Sequence, residues 1–328
     1  MWQTKLQLKN SGRKRFTKVA VGSVLLMGCL AAGSPAQEKG QKTFSSAEEA
    51  SQALVTALQS NDEKAILDVL GQDAKQIVSS GDDAEDRENR AGFIKKYQEM
   101  HRLVLEPDGT TTLYIGAKNW PTPIPLVKKD SAWYFDTDAG KQEILFRRIG
   151  RNEMSAIRVC EELVAAQKEY YSAQHNEYAQ KIVSDDGTPD GLYWKTADGA
   201  KQSPIGPLVA MAAVNSDAKS QSSTPTPYRG YYFHVLTAQG KNAPGGAKSY
   251  IVNGKMTEGF AFVAYPAEYR SSGVKTFIVG TDGVVYEKDL GKKTDVTAKA
   301  IKEYNPKSGW QRTEEEEAAS PAETQATK

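Results

Sequence analysis

Hydrophobic positions along the chain change their spacing twice, and each change marks an element boundary. Downstream of Ser45 and Ser46, Ala50, Ala53, Leu54, Ala57 and Leu58 recur at steps of three and four, the spacing of one helix face. Ser45 or Ser46 supplies the N-cap, and Glu48 and Glu49 lie in the first turn, where carboxylates complement the helix dipole. Asn61-Asp62 interrupts this run and opens a second helix with Ile66, Leu67, Val69 and Leu70. The acidic run 79–89 reads as a loop, and 91–101 as a third helix with Phe93, Ile94 and Tyr97 turned inward and His101 at its end. Residues 110–117, 124–128 and 132–136 are β-rich and predict three strands. Trp120-Pro121-Thr122-Pro123-Ile124-Pro125 is a proline-punctuated connection between the first two. Helices first and a meandering antiparallel sheet second predict an α+β unit over 44–140, preceded by a linker at 37–43.

Helical spacing returns from 141 to 181. Ile144, Leu145, Ile149, Met154, Ile157, Cys160, Val164, Gln167 and Tyr171 predict one buried stripe, on which Cys160 is a small buried hydrophobe. Asp185-Asp186-Gly187-Thr188-Pro189-Asp190-Gly191 ends it. After a polar stretch containing Ser222 to Pro227, four strands follow at 231–237, 259–264, 276–279 and 284–288, the last two joined by a tight turn at Thr281-Asp282-Gly283. The second unit therefore spans 141–312, a long helix on an antiparallel sheet. Residues 313–328, with Glu314 to Glu317, read as a disordered acidic tail.

Residues 1–36 obey different rules. Six basic residues and no acids precede or enter an apolar run from Val19 to Ala32, which ends at Gly33-Ser34-Pro35-Ala36. That order is the signature of a secretory signal peptide, and the run is short for a membrane span. Arg13-Lys14-Arg15-Phe16-Thr17-Lys18 has a lysine where a twin-arginine signal needs arginine. Two cleavages compete. Small residues at Ser34 and Ala36 suit release of a chain beginning at Gln37, whereas Leu26-Met27-Gly28-Cys29 suits lipidation of Cys29 and membrane tethering. The apolar run continues past Cys29, which favours the first.

The formal net charge of +1 changes meaning once the leader is set aside. The remaining chain carries 36 basic against 41 acidic residues, a net of −5, which argues against a nucleic-acid partner. At 328 residues the chain is long enough for about two domains with sizeable cores. Cys160 has no cysteine partner once Cys29 is removed or acylated, so stability rests on packing rather than a disulfide.

Candidate chemistry is sparse. His101, His175 and His234 have no second ligand at zinc spacing, and no Gly-x-Ser-x-Gly elbow occurs. Ser216-Asp217-Ala218-Lys219 lacks the companion motifs of penicillin-binding enzymes. The run Gly240 to Ser249 resembles a phosphate loop, but its lysine is displaced and a strand follows where a helix is needed. The acidic loop from Asp185 to Asp190 offers oxygen ligands for calcium but not the spacing of a calcium loop. Trp120, Trp133 and Tyr114 are candidates to line a pocket in the first unit, or to pack its core. No catalytic, cofactor-binding or metal-binding residue is assigned.

The first unit, in its order of elements, resembles cystatin-like and nuclear-transport-factor-like folds. "NEMSAIRVCEELVAAQKEYYSAQHNEYAQ", "GYYFHVLTAQ", "GFAFVAYPAEY" and "KTFIVGTDGVVYEKDLG" resemble the globular heads of type IV pilin-like proteins. Here, however, a whole unit precedes the head where a pilin has its assembly helix. The full arrangement over 44–312 is similar to an uncharacterised bacterial exported family, the domain of unknown function 2950 proteins, which implies no catalytic residue. The expectation is an exported, non-enzymatic interaction module whose partner is another envelope protein. The alternative is an enzyme or small-ligand carrier with a pocket in the first unit.

Overall fold

Ser46 sets the start of the first helix. Its hydroxyl accepts the Glu49 N–H at 3.1 Å, while the Glu49 carboxylate accepts from the N–H and hydroxyl of Ser45 at 2.9 and 2.6 Å. This reciprocal pair satisfies amides that the first turn leaves without partners. In the computed structural model, which describes residues 38–79, 82–173, 176–185, 187–188, 190–195, 203–214, 224–307 and 309–313, α1 spans Ala47–Ser60 and α2 spans Glu63–Leu70. A short 3-10 turn and α3 (Lys75–Val78) follow.

The run read as an acidic loop is largely helix. Asp82 accepts the N–H groups of Ala84 and Glu85 and caps α4 (Asp83–Glu99). Asp83, Glu85 and Asp86 crowd the first turn, where the helix dipole favours them. Their acidity thus marks a helix start. His101 does not end this helix either, because it opens a strand absent from the sequence reading, β1 (His101–Leu105).

The first sheet comprises β1, β2 (Thr111–Ile115), β3 (Trp120–Pro121), β4 (Leu126–Lys129) and β5 (Ala132–Phe135). Its order is β1-β2-β4-β5, with β3 on β2, and every pairing is antiparallel. Ala50, Leu54, Ile66 and Leu70 of the helices meet Leu126 and Phe135 of the sheet in one apolar cluster. The expected linker is partly structural, since buried Gln41 donates its side-chain amide to the carbonyls of Phe135 and Val69 at 2.9 and 3.3 Å.

A single helix, α5 (Thr137–Ala173, 37 residues), then runs about 55 Å. It carries two stripes. Thr137, Gly140, Lys141 and Arg147 contact the first unit: the Thr137 hydroxyl donates to the Leu70 carbonyl, and Lys141 pairs with Asp73 at 3.0 Å. Ile149, Ala156, Leu163 and Tyr170 are spaced by seven, with Cys160 and Gln167 between them, and all are buried. Arg147 and Ile149 are two residues apart, so they project about 200° apart. The expected stripe therefore needs correction: Met154 is exposed, and Tyr170 rather than Tyr171 is buried.

The second stripe packs on a sheet of order β14-β13-β12-β11-β6, comprising β6 (Tyr231–Leu236), β11 (Ala261–Pro266), β12 (Lys275–Gly280), β13 (Val285–Asp289) and β14 (Gln311–Arg312). Between β6 and β11 lie the two-residue strands β7 (Ala238–Gln239), β8 (Lys248–Ser249), β9 (Ile251–Val252) and β10 (Lys255–Met256). Phe233, Phe262, Phe277 and Val279 form the α5 side of the core with Val159, Cys160 and Leu163. Short α6 (Pro207–Met211) precedes β6, and α7 (Thr294–Lys299) covers the opposite face of β11. The architecture is α+β throughout.

One junction locks α5 to this sheet. The Glu153 carboxylate accepts the N–H groups of Val274 and Lys275 at 2.8 and 3.0 Å, and the Asn152 amide donates to the Ser272 carbonyl at 2.8 Å. Beside them the Tyr231 hydroxyl donates to the Lys275 carbonyl at 2.8 Å, and a Cβ on Gly273 would stand 2.1 Å from that hydroxyl. Gly273→Ala is therefore expected to destabilise by about 2–4 kcal/mol, because Tyr231 is fully buried and cannot yield. Urea midpoints check this; an unchanged midpoint contradicts the packing described.

Candidate functional site

Where the two stripes meet, one side of α5 is left open. From residue 141 to 155 only Ile149 is buried. Phe146, Gly150 and Met154, at steps of four, form one ridge on the helix surface. Phe146 is 59% exposed and Met154 40%, and a Cβ on Gly150 would meet nothing within 4 Å. Arg151 and Arg158 are exposed along one flank of this ridge, and Arg148 on the opposite side of the helix. Two large apolar side chains thus stand exposed beside a gap, with guanidinium groups along one flank.

The upper end of this surface is held in place by Arg147. Its guanidinium lies 5.3 Å from the Trp120 ring, donates to the Pro121 carbonyl at 2.8 Å and pairs with Glu143 at 2.7 Å. Lys96 from α4 also lies over the Trp120 ring, at 5.6 Å. Trp120, 42% exposed, thus joins α4, β3 and α5.

A second assembly of polar groups lies on the far face of the C-terminal sheet, beneath α7 and the chain that follows it. His234 on β6 is buried, its Nε2 3.3 Å from the Ile301 carbonyl and its ring 6.0 Å from that of Tyr265. The hydroxyls of Tyr265, Thr276 and Tyr304 are buried without a hydrogen-bond partner among the described residues. Burial pushes both phenols up and holds them neutral, and burial pushes the imidazole down to about 4, with Lys302 adding to the effect. The layer is uncharged at neutral pH, rich in donors, and sealed.

The sequence profile of a family described as proteins of unknown function, DUF2950, matches residues 41–313 and so spans both units and the helix between them. The chain belongs to the DUF2950 family. No curated protein matches it, and no solved structure does. The likeness of its second unit to pilin heads rests on sequence motifs alone.

The residues nominated from sequence do not converge in this DUF2950 protein. His101 stacks on Tyr97 at 3.8 Å in the first unit, far along the fold from His234, and His175 lies outside the described residues. Burial raises the Cys160 thiol well above the usual range, which keeps it protonated within the core. In the acidic loop Lys181 binds Asp185 and Asp190 at 2.6 and 2.7 Å, so an ammonium already occupies the place between these carboxylates. Among the described residues no group of three His, Cys, Asp or Glu comes together to hold a metal. The run Gly240 to Ser249 turns carbonyls inward, with Gln239 donating to Pro244 and Gly246 at 2.7 and 2.6 Å, and leads into β8. Trp133 packs beside the first core, Tyr114 stacks under Arg102, and Trp120 is clamped as described, so the three do not share a pocket. The Phe146–Gly150–Met154 ridge was hidden because helical spacing shows which residues share a face but not whether that face is covered.

Arg147→Ala is expected to destabilise by about 1–2 kcal/mol through the lost carbonyl bond and ring contact, and Arg147→Lys recovers only part of that. Thermal unfolding of both variants measures it; equal loss in both would count against the planar fit. His234 sets a pH dependence. Its folded value lies below the ordinary 6.5, so the unfolded chain takes up the proton first. Its contribution is present above about pH 6.5 and is lost as pH falls towards 4, about 3 kcal/mol in all. Melting temperature should drop more steeply across this window in wild type than in His234→Gln; parallel curves would show that His234 is not sealed.

Proposed function

We propose that this chain is an exported cell-envelope protein that acts as a non-enzymatic interaction module, docking another envelope protein on the open side of α5. The open Phe146–Gly150–Met154 ridge, with Arg151 and Arg158 along one flank, carries this reading. Gly150 sharpens it. A mid-helix glycine costs about 1 kcal/mol relative to alanine, yet here it leaves room beside two exposed apolar side chains. Export is supported by the basic, apolar and small-residue order of residues 1–36, and the net charge of −5 beyond them gives no attraction to anionic lipid. Release at Gln37 leaves the protein free to diffuse, whereas acylation of Cys29 tethers it to a membrane.

A photo-crosslinking residue at Gly150, expressed in the native host, should capture one discrete envelope protein, and Phe146→Ser should abolish that capture. The same probe at Glu162, an exposed position on the second half of α5, should capture nothing comparable. Equal capture at both positions contradicts the site. Intact mass from the same preparation should give a free or cyclised Gln37; a chain retaining residues 1–36 contradicts export, and a diacylglyceryl-modified Cys29 contradicts free release.

A further inference from the structure

The open edge of the first sheet points to a partner of a different kind. Glu106 donates its N–H to Thr110 at 2.8 Å, and Gly116 donates to the Met100 carbonyl at 2.8 Å. These bonds fix the parity of β1: Met100, Arg102, Val104 and Glu106 direct their backbone groups towards β2. His101, Leu103 and Leu105 therefore direct their N–H and C=O groups away from it, and among the described residues β1 ends the sheet. A row of outward backbone groups is a template for another strand. At its end Leu105 is 72% exposed, more than any other large apolar side chain among the described residues.

We infer that two copies of this chain pair through β1, antiparallel, about a two-fold axis at Leu103. The strand is complementary to itself in that register. Leu103 faces its own equivalent, and His101 faces Leu105 of the second copy, so all the outward backbone groups of both strands find partners. On the inner face Leu105 comes to lie beside the His101–Tyr97 stack of the second copy, which removes it from water. On the outer face Arg102 stands opposite Val104 and diagonal to Glu106 of the second copy, within reach of a cross-strand ion pair. No like charges stand directly opposite one another, and the other diagonal of Arg102, to its own equivalent across the axis, is the one repulsion the Glu106 pairing offsets. Within one chain Arg102 and Glu106 already converge on Tyr114, the guanidinium 4.6 Å from the ring and the carboxylate 3.2 Å from the hydroxyl. The dimer extends this alternation across the seam. It leaves the α5 ridge uninvolved, so it stands or falls separately from the docking of an envelope protein.

Light scattering coupled to size exclusion, run on the exported chain over a concentration series, should show twice the mass of one chain. Leu105→Lys should raise the dimer dissociation constant about tenfold or more with unchanged thermal stability, since Leu105 is exposed in the single chain. His101→Cys combined with Leu105→Cys should give a disulfide-linked dimer on mild oxidation, because each cysteine faces the other type across the seam. Cys160 is buried and takes no part. A single-chain mass at every concentration overturns the inference, and so does a dimer that survives Leu105→Lys and yields no disulfide.

Discussion

Everything else in the fold depends on α5 remaining one helix across the turns where its buried side passes from one sheet to the other. The first unit reaches it through Thr137, Lys141 and Arg147, and the second through Glu153 and the seven-residue stripe from Ile149 to Tyr170. A helix of this middle segment alone would be marginal in water, because nucleation is costly and little apolar area is buried along it. Anchors at both ends remove that cost. Arg147 and Glu153 are six residues apart and grip different sheets, so they hold the intervening turns wound. The exposed ridge is a by-product of this arrangement: Phe146, Gly150 and Met154 lie on the side of the helix that neither grip uses.

The two sheets use their faces differently. The first buries one face beneath α1 and α2 and leaves its outer face and the β1 edge to solvent. The second buries both faces, one under α5 and one under α7, and the α7 side sets hydroxyls and an imidazole among its hydrocarbon side chains, Leu236, Val263 and Ile278. Unpartnered hydroxyls cost about 1–3 kcal/mol each, so this face is a weaker adhesive than the α5 side. It is also the side that acid loosens, through His234. The aromatic face against α5 is the one that fixes the second unit on the rod.

Much of this was legible in residue order. The Ser46 cap, the α1 and α2 stripes, the four C-terminal strands and the Asp282-Gly283 turn each combine a local signal with a buried face, and the α+β class followed from them. Failures occurred where local and tertiary signals diverge. The acids of α4 look like loop because nothing apolar accompanies them until Phe93. The strand β1 has a single inward anchor, Leu103, and so lacks alternation. Met154 fits a spacing of three and four, but the buried side of α5 turns by about half a revolution between Arg147 and Ile149, which no periodicity reveals. The α5 ridge and the open edge depend on what fails to cover them, and that is a property of the assembled fold.

Hydrogen exchange of the native protein, resolved to the amides of residues 146–155, tests most directly whether α5 is one rod. Continuity predicts that these amides exchange slowly and in the same cooperative unit as those around Leu163, despite their exposed side chains. Rapid exchange there, with protection confined to either end, would show two helices joined by a hinge, and would remove both the shared rod and the surface it presents.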